Sequence, residues 1–248
     1  MIDARLDGAI GRIVLDRPEA HNALDRAAME AFAAALDDWT GAAALRAVVV
    51  TGRGRSFCAG ASLGDVGGGG WDDNPLTRLC DALEAFPVPT VAALNGGAYG
   101  GGVEIALACD FRVGVTGMRA FAPPAKLGIH YEPAGIRRAI DRLGSQAARR
   151  MFLLAETFDA EALLAMGFLD HLVAPEALAA KVAEMTATVA GLAPLAVRGM
   201  KRTIVELARG TLDAAAARER IAACFASDDH AEGLAAQRER RTPRFEGR

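Results

Sequence analysis

The sequence predicts an α/β fold with largely parallel strand pairing, and three observations carry that expectation. Val48-Val49-Val50-Thr51, Thr90-Val91-Ala92-Ala93-Leu94 and Phe111 to Val115 are short apolar runs with the length and composition of buried strands. Helix-patterned segments alternate with them, which suits a layered sheet with helices packed on it. Apolar residues make up 52% of the 248 positions and charged residues 24%, so a sizeable core can be buried and disorder is excluded.

Taken in order, residues 2–6 and 10–15 predict two strands joined at Asp7-Gly8-Ala9, a hairpin signal. Arg17-Pro18-Glu19-Ala20 is a loop, and Asp25 opens a helix rich in Ala, Leu and Phe through about Asp38. The strand at 48–51 closes on Gly52-Arg53-Gly54. A helix is expected over 76–86, with Pro87 and Pro89 stopping it before the strand at 90–94. A further helix runs from Val103 to Cys109, ahead of the strand at 111–115. From about Gly135 the pattern is helical almost to the end. Ser145 opens one helix, Asp159 caps the next, Pro175 starts a longer one, and Leu212–Phe225 and His230–Arg241 complete the set. The many alanines of these helices suit close packing, within the chain or between copies.

Net charge is −3, so no strongly basic field serves nonspecific nucleic-acid or membrane binding. Arg238, Arg240, Arg241 and Arg244 form a local basic cluster, a solvated helix face or an anion site. Cys58, Cys80, Cys109 and Cys224 lack paired spacing and are expected as reduced thiols, in keeping with a cytoplasmic location. The four histidines lack ligand spacing, so no metal is expected. Met1 to Asp7 lacks the apolar stretch of a signal peptide, and no run reaches transmembrane length.

The most informative stretch is Asn95-Gly96-Gly97-Ala98-Tyr99-Gly100-Gly101-Gly102-Val103-Glu104, between a strand and a helix. Consecutive glycines let a ligand approach bare backbone, and the helix start leaves N–H groups unpaired. With the helix dipole, such donors suit an oxygen that gains negative charge during a reaction. Glu104 would sit beside that oxygen in the first helical turn, as a catalytic carboxylate or as a plain dipole partner. Gly60-Ala61-Ser62-Leu63-Gly64 formally matches a serine-hydrolase elbow, but the preceding strand ends several residues too early. No phosphate loop or dinucleotide fingerprint is present.

Four segments together resemble the crotonase superfamily, the enoyl-CoA hydratase/isomerase family, nearly end to end. They are Arg17 to Leu24, Gly54 to Leu63, Asn95 to Asp110, and Asp229 to Gly233 with Arg238 to Arg241. The resemblance implies a crotonase-type spiral of ββα units over residues 1–190, holding the CoA-thioester site, and a C-terminal helical trimerisation region over 191–248. It implies a homotrimer or dimer of trimers, with coenzyme A entering as part of the substrate and no separate cofactor. It implies that the Ala61 and Gly101 amides form an oxyanion hole for a thioester enolate, where losing one donor typically costs about 3–4 kcal/mol. Ala20, Ala59, Ala61, Ser62, Leu63 and Gly64 are then expected to line the CoA path, with Arg240 near its phosphate. Gln237 and Ser62 depart from the family's usual aromatic and aspartate.

The weightier departure follows the third segment. Hydratases of the family carry a second glutamate in a Pro-Glu pair before Leu-Gly, and here that place falls on Pro124 or Ala125. Hydration needs one group to activate water and one to protonate the α-carbon. Glu104 is the implied water-side group, and Tyr131 is the nearest candidate for the other, with His130 and Glu132 beside it. Residues 128–133 resemble a subgroup that includes methylmalonyl-CoA decarboxylase, where a tyrosine at this place lies in the active site. That subgroup's histidine in the second segment is replaced by Ala61. The resemblance therefore implies hydration or dehydration of an enoyl-CoA first and decarboxylation of a malonyl-type ester second. A catalytically weak acyl-CoA- or RNA-binding homologue is the alternative of a different class.

Overall fold

The computed structural model describes residues 1–62 and 74–248. Strands β1 (Ile2–Asp7) and β2 (Ile10–Leu15) form the expected antiparallel hairpin, with Ile2 opposite Leu15. Helix α1 (Arg26–Thr40) starts where Asp25 accepts a hydrogen bond from the Ala28 N–H. Its buried face is Ala28, Met29, Phe32, Leu36 and Trp39, the three-to-four spacing of a helix lying on a core.

Three ββα units follow. The first is β3 (Ala47–Gly52), β4 (Ser56–Cys58) and α2 (Pro75–Ala85). The second is β5 (Thr90–Leu94), β6 (Gly97–Tyr99) and α3 (Gly101–Ala108). The third is β7 (Phe111–Val115), β8 (Arg119–Phe121) and, after a single 3-10 turn at Pro124–Leu127, α4 (Pro133–Leu143). The first strand of each unit joins one sheet and the second joins another, so successive units step sideways as a spiral.

The chain continues through α5 (Ser145–Leu153), β9 (Phe158–Asp159), α6 (Ala160–Ala165), β10 (His171–Val173) and α7 (Leu178–Ala190). The larger sheet has the order β1-β2-β3-β5-β7-β10, parallel except for the hairpin, and the smaller is β4-β6-β8-β9. The α/β expectation and the spiral are both met. Strand β5 is buried along its whole length, as its unbroken apolar run predicts.

Helices α8 (Pro194–Arg209), α9 (Ala214–Phe225) and α10 (Asp228–Glu239) differ from the rest. Met200, Ile204, Ile221, Phe225 and Leu234 are exposed there and line an apolar groove of about 700 Å³. All four cysteines are free thiols, three of them buried. Among the described residues no single helix is long and apolar enough to cross a membrane.

One expected boundary moves. The glycine run does not lead straight from strand to helix, because Gly97–Tyr99 pairs with β4 and β8 before α3 begins at Gly101. Two asparagines fix this region. Asn95 donates to the Gly54 carbonyl at 2.8 Å and accepts from the Gly52 N–H at 3.0 Å. Buried Asn22 donates to the carbonyls of Ser56 (2.8 Å) and Phe57 (3.1 Å), latching the first loop onto β4.

Candidate active site

A cavity of about 810 Å³ opens where the ends of β4 and β6, the start of α3 and the segment before α4 converge. Its amide wall comes from local backbone. Past β4, the Leu24 N–H donates to the Gly60 carbonyl (2.7 Å) and the Ser62 N–H donates to the Leu24 carbonyl (2.8 Å). Strand alternation turns the intervening Ala61 N–H to the other side. Opposite, Gly100 takes φ +52° while its N–H donates to the Phe121 carbonyl, and Gly101 opens α3 with a first-turn amide. Among the described residues, neither the Ala61 nor the Gly101 N–H has a hydrogen-bond acceptor, and both residues line the cavity.

The two segments abut. Gly60 has φ +82°, and a Cβ there would run into the Gly101 nitrogen and Cα. A Cβ on Gly101 would lie 3.4 Å from the Ala61 nitrogen and would press on Leu76 at 2.6 Å. Glycine at both places is what allows two main-chain donors to stand side by side.

The facing wall is made of side chains. Glu104 is 3% exposed and lines the cavity from the first turn of α3. Fully buried Arg138 on α4 donates from Nη1 to Glu104 Oε1 at 2.6 Å. The Tyr131 phenol lies beside this carboxylate and interacts with it. Gly135 lies beneath both, where a Cβ would meet Tyr131 Cε1 at 2.5 Å and Glu104 Cδ at 2.9 Å. Burial pushes the Glu104 carboxyl above its ordinary range; Tyr131 and Arg138 pull it back, and Asp81 and Glu132 push again. Burial and the neighbouring Glu104 charge raise the Tyr131 phenol well above its ordinary value, so it keeps its proton and is the donor of the pair.

Ala20, Ala59 and Ser62 line the same cavity, whereas Leu63, Gly64 and the Gly67–Gly70 run lie outside the described residues. Arg240 is not brought there within one chain. It caps α10 in the left-handed region, at φ 54°. Pro124 is buried in the cavity wall and Ala125 is exposed and outside the lining, so a proline occupies the wall where a second carboxylate was sought. His130 and Glu132 line the mouth; Asn74 reaches Glu132 at 3.5 Å, and the His130 ring contacts the Tyr131 carbonyl at 2.8 Å. Ser62 stands four positions beyond the end of β4, which removes the strand-to-serine geometry of a hydrolase elbow. Among the described residues no group of three His, Cys, Asp or Glu side chains is placed to hold a metal ion.

Sequence reasoning missed Arg138 and its partners Asp81 and Glu84. The available signal was the pair of acids three apart on a helix facing Arg137-Arg138 on another, but each pattern alone reads as a solvated face.

Comparison with known proteins gives the chain's relatives. The enoyl-CoA hydratase/isomerase family model matches residues 5–248. The probable enoyl-CoA hydratase echA6 of Mycobacterium tuberculosis is 35% identical over 242 residues, covering 96% of each chain. The 2,3-dehydroadipyl-CoA hydratase of Escherichia coli is 31% identical over 243 residues, covering 95% of this chain and 94% of that one. Among solved structures, an enoyl-CoA hydratase subunit from Geobacillus kaustophilus superposes with a TM-score of 0.90 at 31% identity, covering 100% and 98% of the two chains. The enoyl-CoA hydratase of Bacillus anthracis superposes at 0.91 with 27% identity, covering 100% and 99%.

Proposed function

This chain belongs to the enoyl-CoA hydratase/isomerase family, and from that premise we propose that it hydrates the double bond of a 2-enoyl-CoA thioester. One observation carries the proposal: two amides without an acceptor among the described residues and one buried carboxyl line a single cavity. The Ala61 and Gly101 N–H groups bind the thioester oxygen and hold the negative charge that arrives there. Ionised Glu104 takes a proton from water, whose hydroxyl adds to the β-carbon while the double-bond electrons move onto that oxygen.

The α-carbon then needs a proton, and Pro124 has none to give. Tyr131 supplies it and recovers one from the adjacent protonated Glu104. The protons balance: water contributes hydroxyl to one carbon and, through Glu104 and Tyr131, hydrogen to the other. Coenzyme A enters as the carrier of the acyl group, and Ala20, Ala59 and Ser62 flank its path, with Leu63 and Gly64 continuing that segment. The exposed apolar face of α8–α10 suits contacts between copies, and the family resemblance makes a homotrimer or dimer of trimers the expected particle, checked by light scattering after size exclusion. In that assembly Arg240 serves the thioester of a neighbouring copy.

The uncharged wall at Pro124 favours a second reading, decarboxylation of a malonyl-type thioester, because a substrate carboxylate there is unpaired and costly to bury. A panel of CoA thioesters scored for hydration, decarboxylation, isomerisation and hydrolysis separates the two. Glu104→Gln is expected to lower hydration turnover about 10²- to 10⁴-fold with little change in thioester affinity. Unchanged turnover would remove Glu104 from the reaction.

A further inference from the structure

Glu104 belongs to an ion-pair network that runs from the cavity to the far end of α8. Arg138 divides its guanidinium among three carboxylates: Nη1 on Glu104 (2.6 Å), Nη2 on Asp81, and Nε at 3.4 Å from Glu84. Among the described residues Nε makes no hydrogen bond. Arg209, in the last turn of α8, holds the same two acids of α2 from outside, with Nη2 2.5 Å from Glu84 and 3.1 Å from Asp81. Arg137 adds a contact to Glu84 at 2.8 Å but shares itself with Asp141 at 2.7 Å.

We propose that Arg209 is a positioning residue for Glu104: by satisfying Asp81 and Glu84 it leaves the Arg138 guanidinium to the carboxylate in the cavity. The competition is close because the Arg138, Glu84 and Glu104 side chains are 0%, 6% and 3% exposed, so water screens them little. Without Arg209, Glu84 loses a charged partner and the unbonded Nε of Arg138 is the nearest replacement. The guanidinium then turns toward α2 and its hold on Glu104 loosens. Arg209 itself does not line the cavity.

The groups facing Glu104 set the direction of the effect. They are Arg138 from α4, Asp81 and the neutral Cys80 thiol from α2, and Tyr131 with Glu132 from the preceding segment. Weakening the Arg138 pair, or unmasking Asp81, makes the charged form of Glu104 costlier. Removing a carboxylate that competes for Arg138 does the reverse.

The inference rests on Glu104 being the proton-handling group, so the test reads Glu104 directly as well as through turnover. In the full-length protein, the carboxyl stretch of Glu104 is followed by isotope-edited infrared titration and assigned by its loss in Glu104→Gln. Arg209→Gln is expected to raise the protonation midpoint, Arg209→Lys to restore it, and Glu84→Gln to lower it. On the acid side of the optimum, Arg209→Gln should lose kcat about three- to tenfold with KM unchanged. An unmoved midpoint in folded Arg209→Gln, or a midpoint that does not fall in Glu84→Gln, overturns the proposal. Should Arg209→Gln not fold, the opposed shifts of the other two variants decide it. A midpoint that moves while the pH dependence of turnover stays put upholds the network and removes Glu104 as the proton-handling group.

Discussion

The two walls of the cavity are built by different means. The Ala61–Gly101 wall is main chain, fixed within a few residues by Gly60, Gly100 and the bridge to Leu24. The Glu104–Tyr131 wall is side chain, and its geometry depends on Arg138, Asp81, Glu84 and Arg209 from three other helices. In the proposed reaction the first wall holds an oxygen without titrating, while the second moves protons and is sensitive to the charges around it. In the proposed reaction local backbone therefore carries the charge-holding part of the chemistry, and distant ion pairs tune the proton-handling part.

The largest expected effect comes from breaking the main-chain wall. Gly60→Ala forces a Cβ into the Gly101 amide at a backbone conformation that side chains disfavour, so the two donors must separate. Turnover is expected to fall about 10²- to 10³-fold, the loss typical of one oxyanion donor. Retained kcat in a folded Gly60→Ala protein would show that the amide pair is not used.

Tyr131→Phe probes the opposite wall more gently. It keeps the ring beside Phe152, with ring centroids 4.9 Å apart, and removes only the hydroxyl. About ten- to a hundredfold loss of kcat is expected, with thioester binding preserved. Full activity would transfer the α-carbon proton to another group, Glu132 and His130 being the ones that line the mouth.

The smallest effect is on stability. The Glu104 carboxyl is raised in the folded state, so the stability tied to its protonation is present below its unfolded value of 4.5 and is lost as pH rises through the folded value. Glu104→Gln should therefore match or exceed the parent Tm at neutral pH, with the difference closing below pH 4.5. A lower Tm for the variant at neutral pH would mean that the Arg138 pair more than repays its desolvation.

The same contrast explains what could be read from the chain itself. The hairpin at Gly8, the helix caps at Asp25 and Asp159, and strand Phe111–Val115 were legible because each is set by neighbours a few positions away. The glycine run was legible as a turn that brings bare backbone to a helix start for the same reason. Strands of three residues, Ser56–Cys58 and Gly97–Tyr99, are too short to show a period of two and exist through their pairing. Arg138 was hidden because α4 reads as a polar helix, and only its docking against α3, with ion pairs reaching α2, turns that face inward. Tyr131 stood out through resemblance to relatives, while its place beside Glu104 follows from the close packing that Gly135 permits.

The contact of Gly60 on Gly101 has a consequence for how such a catalyst can change over generations. No side chain stands between those two strips of backbone, so almost any replacement there is lethal to the cradle and none can refine it. Drift toward a new substrate or a new product must enter through the other face, where side chains can change and the paired backbone strips stay as they are.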